Sequence, residues 1–349
     1  MYSFFRTHER NYIPNSSRPV LKLAFSKTPY KLYLTMRSTP FISLPHILLI
    51  ASILFSSFCA TAFANDVIPD DGKLRIIVFG AHPDDAELEA GGTAALWASM
   101  GHHVKFVSTT NGDIGHAVQA GAQLAKRRTQ EVEEADKILG VEATEVYDIH
   151  DGEIMPTLEN RRLVTKSIRE WKADIVIAHR PNDYHPDHRY TGILVQDAAF
   201  MVIVKSFLQA FPVLTKNPVF LHTEVGFQKP HPMDPEIVVN IDDVVAQKID
   251  ALWKLESQIE SYWATRDFES VIPVPQEGPE RAKRKAQLAE SMKRRYANIA
   301  NRFRPRLIEL YGKEKGSAVK YAEAFELCEY GRRPHAKELL ELFPFFGSE

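Results

Sequence analysis

The 349-residue sequence predicts an α/β fold built on a mostly parallel sheet. Two observations point there. Short apolar, β-branched runs alternate with longer amphipathic stretches of helical period, the pattern of βαβ units. The most polar segments follow directly after strand-like runs, where parallel sheets place their ligand sites.

The elements follow in order. Residues 74–79 (Leu-Arg-Ile-Ile-Val-Phe) read as a buried strand. It runs into Gly80-Ala81-His82-Pro83-Asp84-Asp85 and then a helical pattern over 87–100, stopped by Gly101. Residues 103–108 form a second strand, 109–115 a Gly/Asn/Asp loop, and 119–139 a charged amphipathic helix closed by Gly140. A third strand is expected over 145–149, a helix over 158–171 and a fourth strand over 174–178. The polar stretch 179–187 reads as a loop and 188–204 as a helix. Strands are expected at 219–225 and 237–241, and one helix over 244–262. Residues 271–279 carry three prolines and read as a linker. A long helix over 281–311, broken at Pro305, and two shorter helices give a C-terminal helical extension over 280–349. Cys328 is expected in a late helix as a buried small hydrophobe.

Composition excludes several classes. A formal charge of −2 with 25% charged residues suits a folded protein and gives no footprint for nucleic acid. Two cysteines exclude a disulfide scaffold and a cysteine-based zinc module. The charge is uneven, however. Residues 1–64 hold seven Lys/Arg against one acid, Glu9, and the remainder carries 36 basic and 44 acidic residues. An apolar run over 47–63 ends in Ala62-Phe63-Ala64. A cationic start, an apolar middle and a small-x-small ending describe a secretory signal peptide over 1–64, cut after Ala64, with Met36 as the more natural start. The run is short for a membrane span of about 20 residues. Phe58 spoils a lipoprotein signal at Cys59. The protein is therefore expected to be exported to the periplasm, the cell surface or the medium.

Two segments carry chemistry. His82, Pro83, Asp84 and Asp85 stand where the first strand stops, and His185, Pro186, Asp187 and His188 where the fourth strand's loop meets a helix. Imidazoles with carboxylates suit zinc and similar divalent metals. Two His and one carboxylate would leave a coordination position open for water, as catalytic sites do. A spare carboxylate could take the water's proton, and a spare imidazole could stabilise the oxyanion or protonate the leaving amine. The bland alternative is a pair of turns with helix caps, since Asp is a good N-cap. Occurrence at the mouths of two strands expected to share a cleft favours metal-assisted hydrolysis of an amide or ester. A nucleotide-binding reading lacks Gly-x-Gly-x-x-Gly after the first strand.

Gly80-Ala81-His82-Pro83-Asp84-Asp85 with Glu87-Leu88-Glu89-Ala90-Gly91-Gly92-Thr93, and His185-Pro186-Asp187-His188, resemble the two motifs of the PIG-L/LmbE-like deacetylases. Thr110-Asn111-Gly112-Asp113, Arg128-x-x-Glu131, Leu139-Gly140-Val141 and Asp151-Gly152 match further, and the resemblance covers about residues 73–262. It implies a Rossmann-like three-layer fold, a deacetylase domain over 73–265, and zinc-dependent removal of an N-acetyl group from an N-acetylglucosamine-containing sugar or glycoconjugate. By motif position it implies His82, Asp85 and His188 as metal ligands, zinc or another divalent ion. It implies Asp84 as general base, His185 as electrophile and acid partner, and Asp187 as the group orienting His185. Arg128 and Asp151 become substrate-contacting positions. Alternatives are an amidase cutting a larger acyl group, or a carbohydrate-binding protein whose metal only orders the cleft.

Four further features are singled out. Gly91 and Gly92 fall inside a helical pattern and read as close helix–sheet packing rather than a phosphate loop. Residues 281–306 hold ten Lys/Arg against Glu290, a basic helix that could meet an anionic polysaccharide or a membrane surface, or simply be solvated. Trp253, Tyr262 and Trp263 are candidates to stack on sugar rings, and His179 to line the cleft.

Overall fold

A computed structural model describes residues 71–265 and 269–346. The proposed signal peptide, with Met36, Cys59 and the cleavage point, lies outside the described residues.

The chain forms β1 (Arg75–Gly80), α1 (Asp85–Ser99), β2 (His103–Ser108), α2 (Ala122–Leu139), β3 (Ala143–Val146), α3 (Leu158–Trp171), β4 (Ile175–Ala178) and α4 (Pro186–Met201). There follow β5 (Val219–Thr223), β6 (Ile237–Asn240), α5 (Val245–Leu252), α6 (Glu256–Glu260), α7 (Tyr262–Thr265), α8 (Gly278–Arg302), α9 (Arg304–Tyr311), α10 (Lys313–Ala318), β7 (Ala322–Gly331) and α11 (Ala336–Leu342). The seven strands form one sheet in the order β3-β2-β1-β4-β5-β7-β6. The pairs from β3 to β5 are parallel, and β7 runs antiparallel to β5 and β6.

β1 shows why the layers form. Its successive side chains point to opposite faces. Ile76 and Val78 join a core with residues of α1, α2 and α5, while Ile77 and Phe79 join a second core with residues of α3 and α4. A strand buried on both faces reads as a continuous apolar run. Its last residue, Gly80, has no room for a side chain, since a Cβ there would stand 2.7 Å from that of Asp85. Gly92 lies in α1 against the sheet layer, where a Cβ would meet Ile241 at 2.8 Å, so the reading as close packing holds.

Several elements depart from the sequence expectation. The stretch 244–262 is not one helix but α5, α6 and the start of α7. The helix expected over 281–311 breaks at Phe303, with Pro305 in the first turn of α9, where its missing N–H is tolerated. The C-terminal stretch is not wholly helical: it contains β7, lodged between β5 and β6. Cys328 is buried as expected, but on β7 rather than in a helix.

Most cations of the basic stretch are paired with acids or carbonyls of the same protein, at or near its surface. Arg295 pairs with Glu89 at 2.5 Å, Arg302 with Glu224 at 2.8 Å and Lys285 with Asp250 at 2.7 Å. Arg284 donates to the Ile259 carbonyl, Arg304 to that of Val319 and Arg306 to that of Glu236. Lys283 and Arg294 face acids of their own helix.

What matters for function is the alignment of strand ends. Gly80 pairs in register with Ser108, Phe79 with Ala178, and Ala178 with His222. The loops after β1, β2 and β4 therefore leave from one edge, and β1 is the point where the chain turns to either side of the sheet.

Candidate active site

The first half of the site is the turn from β1 into α1. Asp84 holds the N-cap position of α1 but makes no capping hydrogen bond with its side chain, so its carboxylate does not serve the helix. Its Oδ1 lies 3.1 Å from Arg128 Nη2. Asp85 Oδ2 accepts from the amides of Ala81 at 3.0 Å and His82 at 2.8 Å, and its Oδ1 faces His188 Nε2 at 3.5 Å. His82 Nδ1 stands 3.3 Å from Asp85 Oδ2.

The second half follows β4. α4 begins at Pro186, two residues earlier than the sequence suggests, and His185 becomes its N-cap. His185 Nδ1 accepts the Asp187 amide at 3.2 Å. His188 Nδ1 meets Asp183 Oδ2 at 3.1 Å, which turns Nε2 toward the cluster. His179 stacks on His188 and reaches Asp85 Oδ2 at 3.2 Å.

Asp187 meets His185 through its backbone rather than through its carboxylate. Asp187 lies in the first turn of α4, fully buried, and its Oδ2 accepts the Gly152 amide at 2.6 Å and lies 3.4 Å from His82 Nε2. Only its backbone N–H reaches His185. Arg128 and Asp151, expected at the substrate, are also buried among the site's own residues. Arg128 is 2% exposed and donates to the carbonyls of Gly112 at 3.1 Å and Pro83 at 3.3 Å besides pairing with Asp84. Asp151 Oδ1 stands 3.2 Å from His82 Nε2.

Donor atoms of His82, Asp84 and Asp85, of His82, His185 and His188, and of Asp85, His179 and His188 gather within 4.8 Å of one another. The Nε2 atoms of His82 and His188 and Oδ1 of Asp187 are buried without an aligned hydrogen-bond partner. Orphaned buried acceptors are rare in a finished structure and call for a water or an ion. Imidazole nitrogens and carboxylate oxygens gathered this closely in a buried place are a donor set that a divalent cation fits.

Sequence comparison places these residues in a family. The family described as GlcNAc-PI de-N-acetylase, PIG-L, matches residues 77–199, which include both motifs. A diacetylchitobiose deacetylase of Thermococcus kodakarensis is 30% identical over 201 residues, 56% of this chain and 74% of the relative. The chain belongs to the PIG-L family. A probable N-acetyl-alpha-D-glucosaminyl L-malate deacetylase of Bacillus cereus is 26% identical over 200 residues, 54% of this chain and 84% of that protein. Among solved structures, N,N'-diacetylchitobiose deacetylase from Pyrococcus horikoshii matches with a TM-score of 0.54 at 20% identity, covering 83% of this chain and 94% of that one. A 4-carboxy-2-hydroxymuconate hydratase from Pseudomonas putida matches with a TM-score of 0.56 at 19% identity, covering 75% and 98%. One fold thus carries different reactions, and function must be argued from the site.

Electrostatics separate the PIG-L site's carboxyls. Burial pushes Asp84 above the usual carboxylate range, although the Arg128 guanidinium opposes it. Burial acts the same way on Asp85, but His188 and His179 outweigh it and hold that carboxyl well below its ordinary value. His82 is raised well above its usual value: burial disfavours its charge, and Asp151, Asp187 and Asp85 overcome that cost. Burial, with His82 and His188 nearby, lowers His185. Neighbouring groups pushed in opposite directions are the signature of divided acid–base roles.

The sequence reading left Asp183 and Tyr184 unassigned and gave His179 only a place along the cleft. His179 follows β4 as His82 nearly follows β1, and that equivalence was the available signal. The aromatic candidates fare differently. Trp253 is buried, with Arg281 over its ring at 5.0 Å, and Trp263 packs against the core. The Tyr262 side chain lies outside the described part of the structure.

Proposed function

We propose that this protein is an exported, metal-dependent N-deacetylase of an N-acetylglucosamine-containing sugar or glycoconjugate, with zinc as its metal. The observation that carries the reading is the buried gathering of His82, His185 and His188, and of His82, Asp84 and Asp85, within 4.8 Å of one another, with His82 Nδ1 and His188 Nε2 both facing the Asp85 carboxylate. The 30% identity to a diacetylchitobiose deacetylase supports the substrate class. The cationic, apolar and Ala-x-Ala pattern of residues 1–64 supports export.

His82, Asp85 and His188 would hold the ion, which would polarise the acetyl carbonyl and ease deprotonation of water. The remaining steps belong to the chain. Asp84 accepts a proton from the attacking water; its upward-shifted carboxyl is a better base than an ordinary aspartate. The oxygen adds to the carbonyl carbon. His185 is held neutral, and because its Nδ1 accepts the Asp187 amide its proton sits on Nε2, free to donate to the oxyanion. Asp84 then returns its proton to the nitrogen, the C–N bond breaks, and acetate and an amine leave. Arg128 anchors the Asp84 carboxylate without entering the reaction.

The test is acetate release by the purified protein from a panel of N-acetylated sugars, with zinc and then with chelator. Chelator-sensitive release supports the reading. Metal bound at one equivalent without acetate from any sugar moves the reading to a larger acyl group. No bound metal overturns the hydrolase.

A further inference from the structure

Tyr184 stands between Asp183 and His185 in the loop after β4. Its ring leans edge-on toward two imidazoles of the cluster, with centroids 5.1 Å from His188 at 70° and 5.8 Å from His185 at 80°. The residue is nevertheless 58% exposed. Its backbone is held on both sides. Its N–H donates to Asp183 Oδ1 at 2.5 Å, and Arg189 Nη1 donates to the carbonyls of Asp183 and Tyr184, each at 2.9 Å.

A single exposed aromatic is ordinary on a protein surface. An exposed ring on a pinned backbone, in contact with two histidines of a candidate active site, is a different object. It presents a largely apolar plane beside the reacting groups, and a tyrosine, with two side-chain torsions, loses little freedom when a ligand covers it. A pyranose matches such a plane: its ring C–H groups form an apolar face, and its hydroxyls project from the rim. With the Tyr184 ring 5.1 and 5.8 Å from the two imidazoles, a sugar whose acetamide lies at those imidazoles has the tyrosine ring within its own reach.

We propose that Tyr184 is the specificity-determining residue of this site, the platform on which the pyranose bearing the N-acetyl group stacks. The proposal rests on the deacetylase reading for its substrate and not for its geometry. Of the aromatic candidates read from the sequence, Trp253 is buried in a core cluster and Trp263 packs against the cores, half-buried.

The test uses the full chain, loaded with zinc, as Tyr184→Phe, Tyr184→Leu and Tyr184→Ala. Acetate release is followed from N-acetylglucosamine, from N,N'-diacetylchitobiose and from N-acetylethanolamine, which has an acetamide but no ring. Tyr184→Ala and Tyr184→Leu should raise KM for both sugars about tenfold with kcat little changed, and leave N-acetylethanolamine unaffected. Tyr184→Phe should restore wild-type KM, and zinc content should not change in any variant. Calorimetric titration of the same sugars into zinc-loaded Asp84→Asn protein, with and without Tyr184→Ala, reads binding without turnover. Sugar that binds in a Tyr184-dependent way but yields no acetate overturns the deacetylase and leaves the platform standing. Unchanged KM and binding in Tyr184→Ala overturn the platform, as does lost zinc or kcat at constant KM, which would make the ring a prop for His188. Failure of the panel sugars to bind at all also overturns it.

Discussion

The imidazole of His179 lies flat on that of His188, ring centroids 4.0 Å apart and planes 12° apart. The same ring reaches Asp85 Oδ2 at 3.2 Å, so it supports two members of the proposed donor set from behind. His179 is itself fixed. His222 Nδ1 meets its carbonyl at 3.0 Å, and Gly192 of α4 packs so close that a Cβ there would stand 2.6 Å from that oxygen. Outer partners of metal ligands are worth roughly 10–100-fold in metal affinity. His179→Ala should weaken zinc binding by about that factor while the circular dichroism spectrum is kept. Competition with a chromogenic chelator measures it, and unchanged affinity would show that Asp85 and His188 hold their geometry unaided.

Asp84 and His188 should separate chemistry from metal binding. Asp84 contacts Arg128 and accepts no helix-capping bond, so Asp84→Asn keeps the fold and the donor set. It should retain zinc and lose about 10²–10⁴-fold in kcat, the usual worth of a positioned base. His188→Ala should lose zinc as well as activity. An active Asp84→Asn enzyme would remove Asp84 as the base, and full zinc occupancy in His188→Ala would refute the ligand set.

Much of this site was legible because the chemistry sits at strand ends. Residues 76–79 and 175–178 are apolar and largely β-branched, so the polar segments after them could be placed at one edge of the sheet. The direction of a side chain inside a turn was not legible. The Asp187 carboxylate accepts the Gly152 amide, a partner far along the chain; the start of α4 at Pro186 itself follows the preference of proline for the first helical position. β7 was hidden for another reason. Ala322-Glu323-Ala324-Phe325-Glu326-Leu327 is rich in strong helix formers, and only the strands on both sides make it a strand.

Glu87 of α1 and Asp136 of α2 are each 2% exposed and face one another. Glu87 Oε2 and Asp136 Oδ1 have no other partner, and a shared proton gives them one. Burial pushes Asp136 up to about 7, and burial together with the Asp136 charge holds Glu87 well above its usual range. A raised folded-state value means that the folded protein holds a proton which the unfolded chain releases. The contribution is therefore complete below the unfolded carboxyl values and is lost as pH rises through about 7. Thermal unfolding followed from pH 5 to pH 8 should show stability falling on the order of 2 kcal/mol. Asp136→Asn should flatten that slope; a slope of equal size in the variant would assign it elsewhere.

Glu323 of β7 ties the C-terminal stretch to the helix that opens at the site. Its Oε1 accepts the Gly92 amide at 2.8 Å, and its Oε2 accepts the Thr93 amide at 2.7 Å and the Thr93 hydroxyl at 2.5 Å. Lys248 of α5 pairs with Glu323 and donates to the Leu88 carbonyl at 2.8 Å, where the Tyr296 hydroxyl also donates at 3.1 Å. Both charged side chains are essentially unexposed. Removing one partner of such a pair leaves an uncompensated charge in the core, whereas removing both does not. Glu323→Leu should therefore cost about 3–5 kcal/mol in denaturant unfolding. The double variant Lys248→Met with Glu323→Leu should recover part of that loss, because the stranded ammonium is gone. Equal instability of the single and double variants would show that the cost lies in the freed Gly92 and Thr93 amides, and that β7 holds α1 through hydrogen bonds rather than through charge.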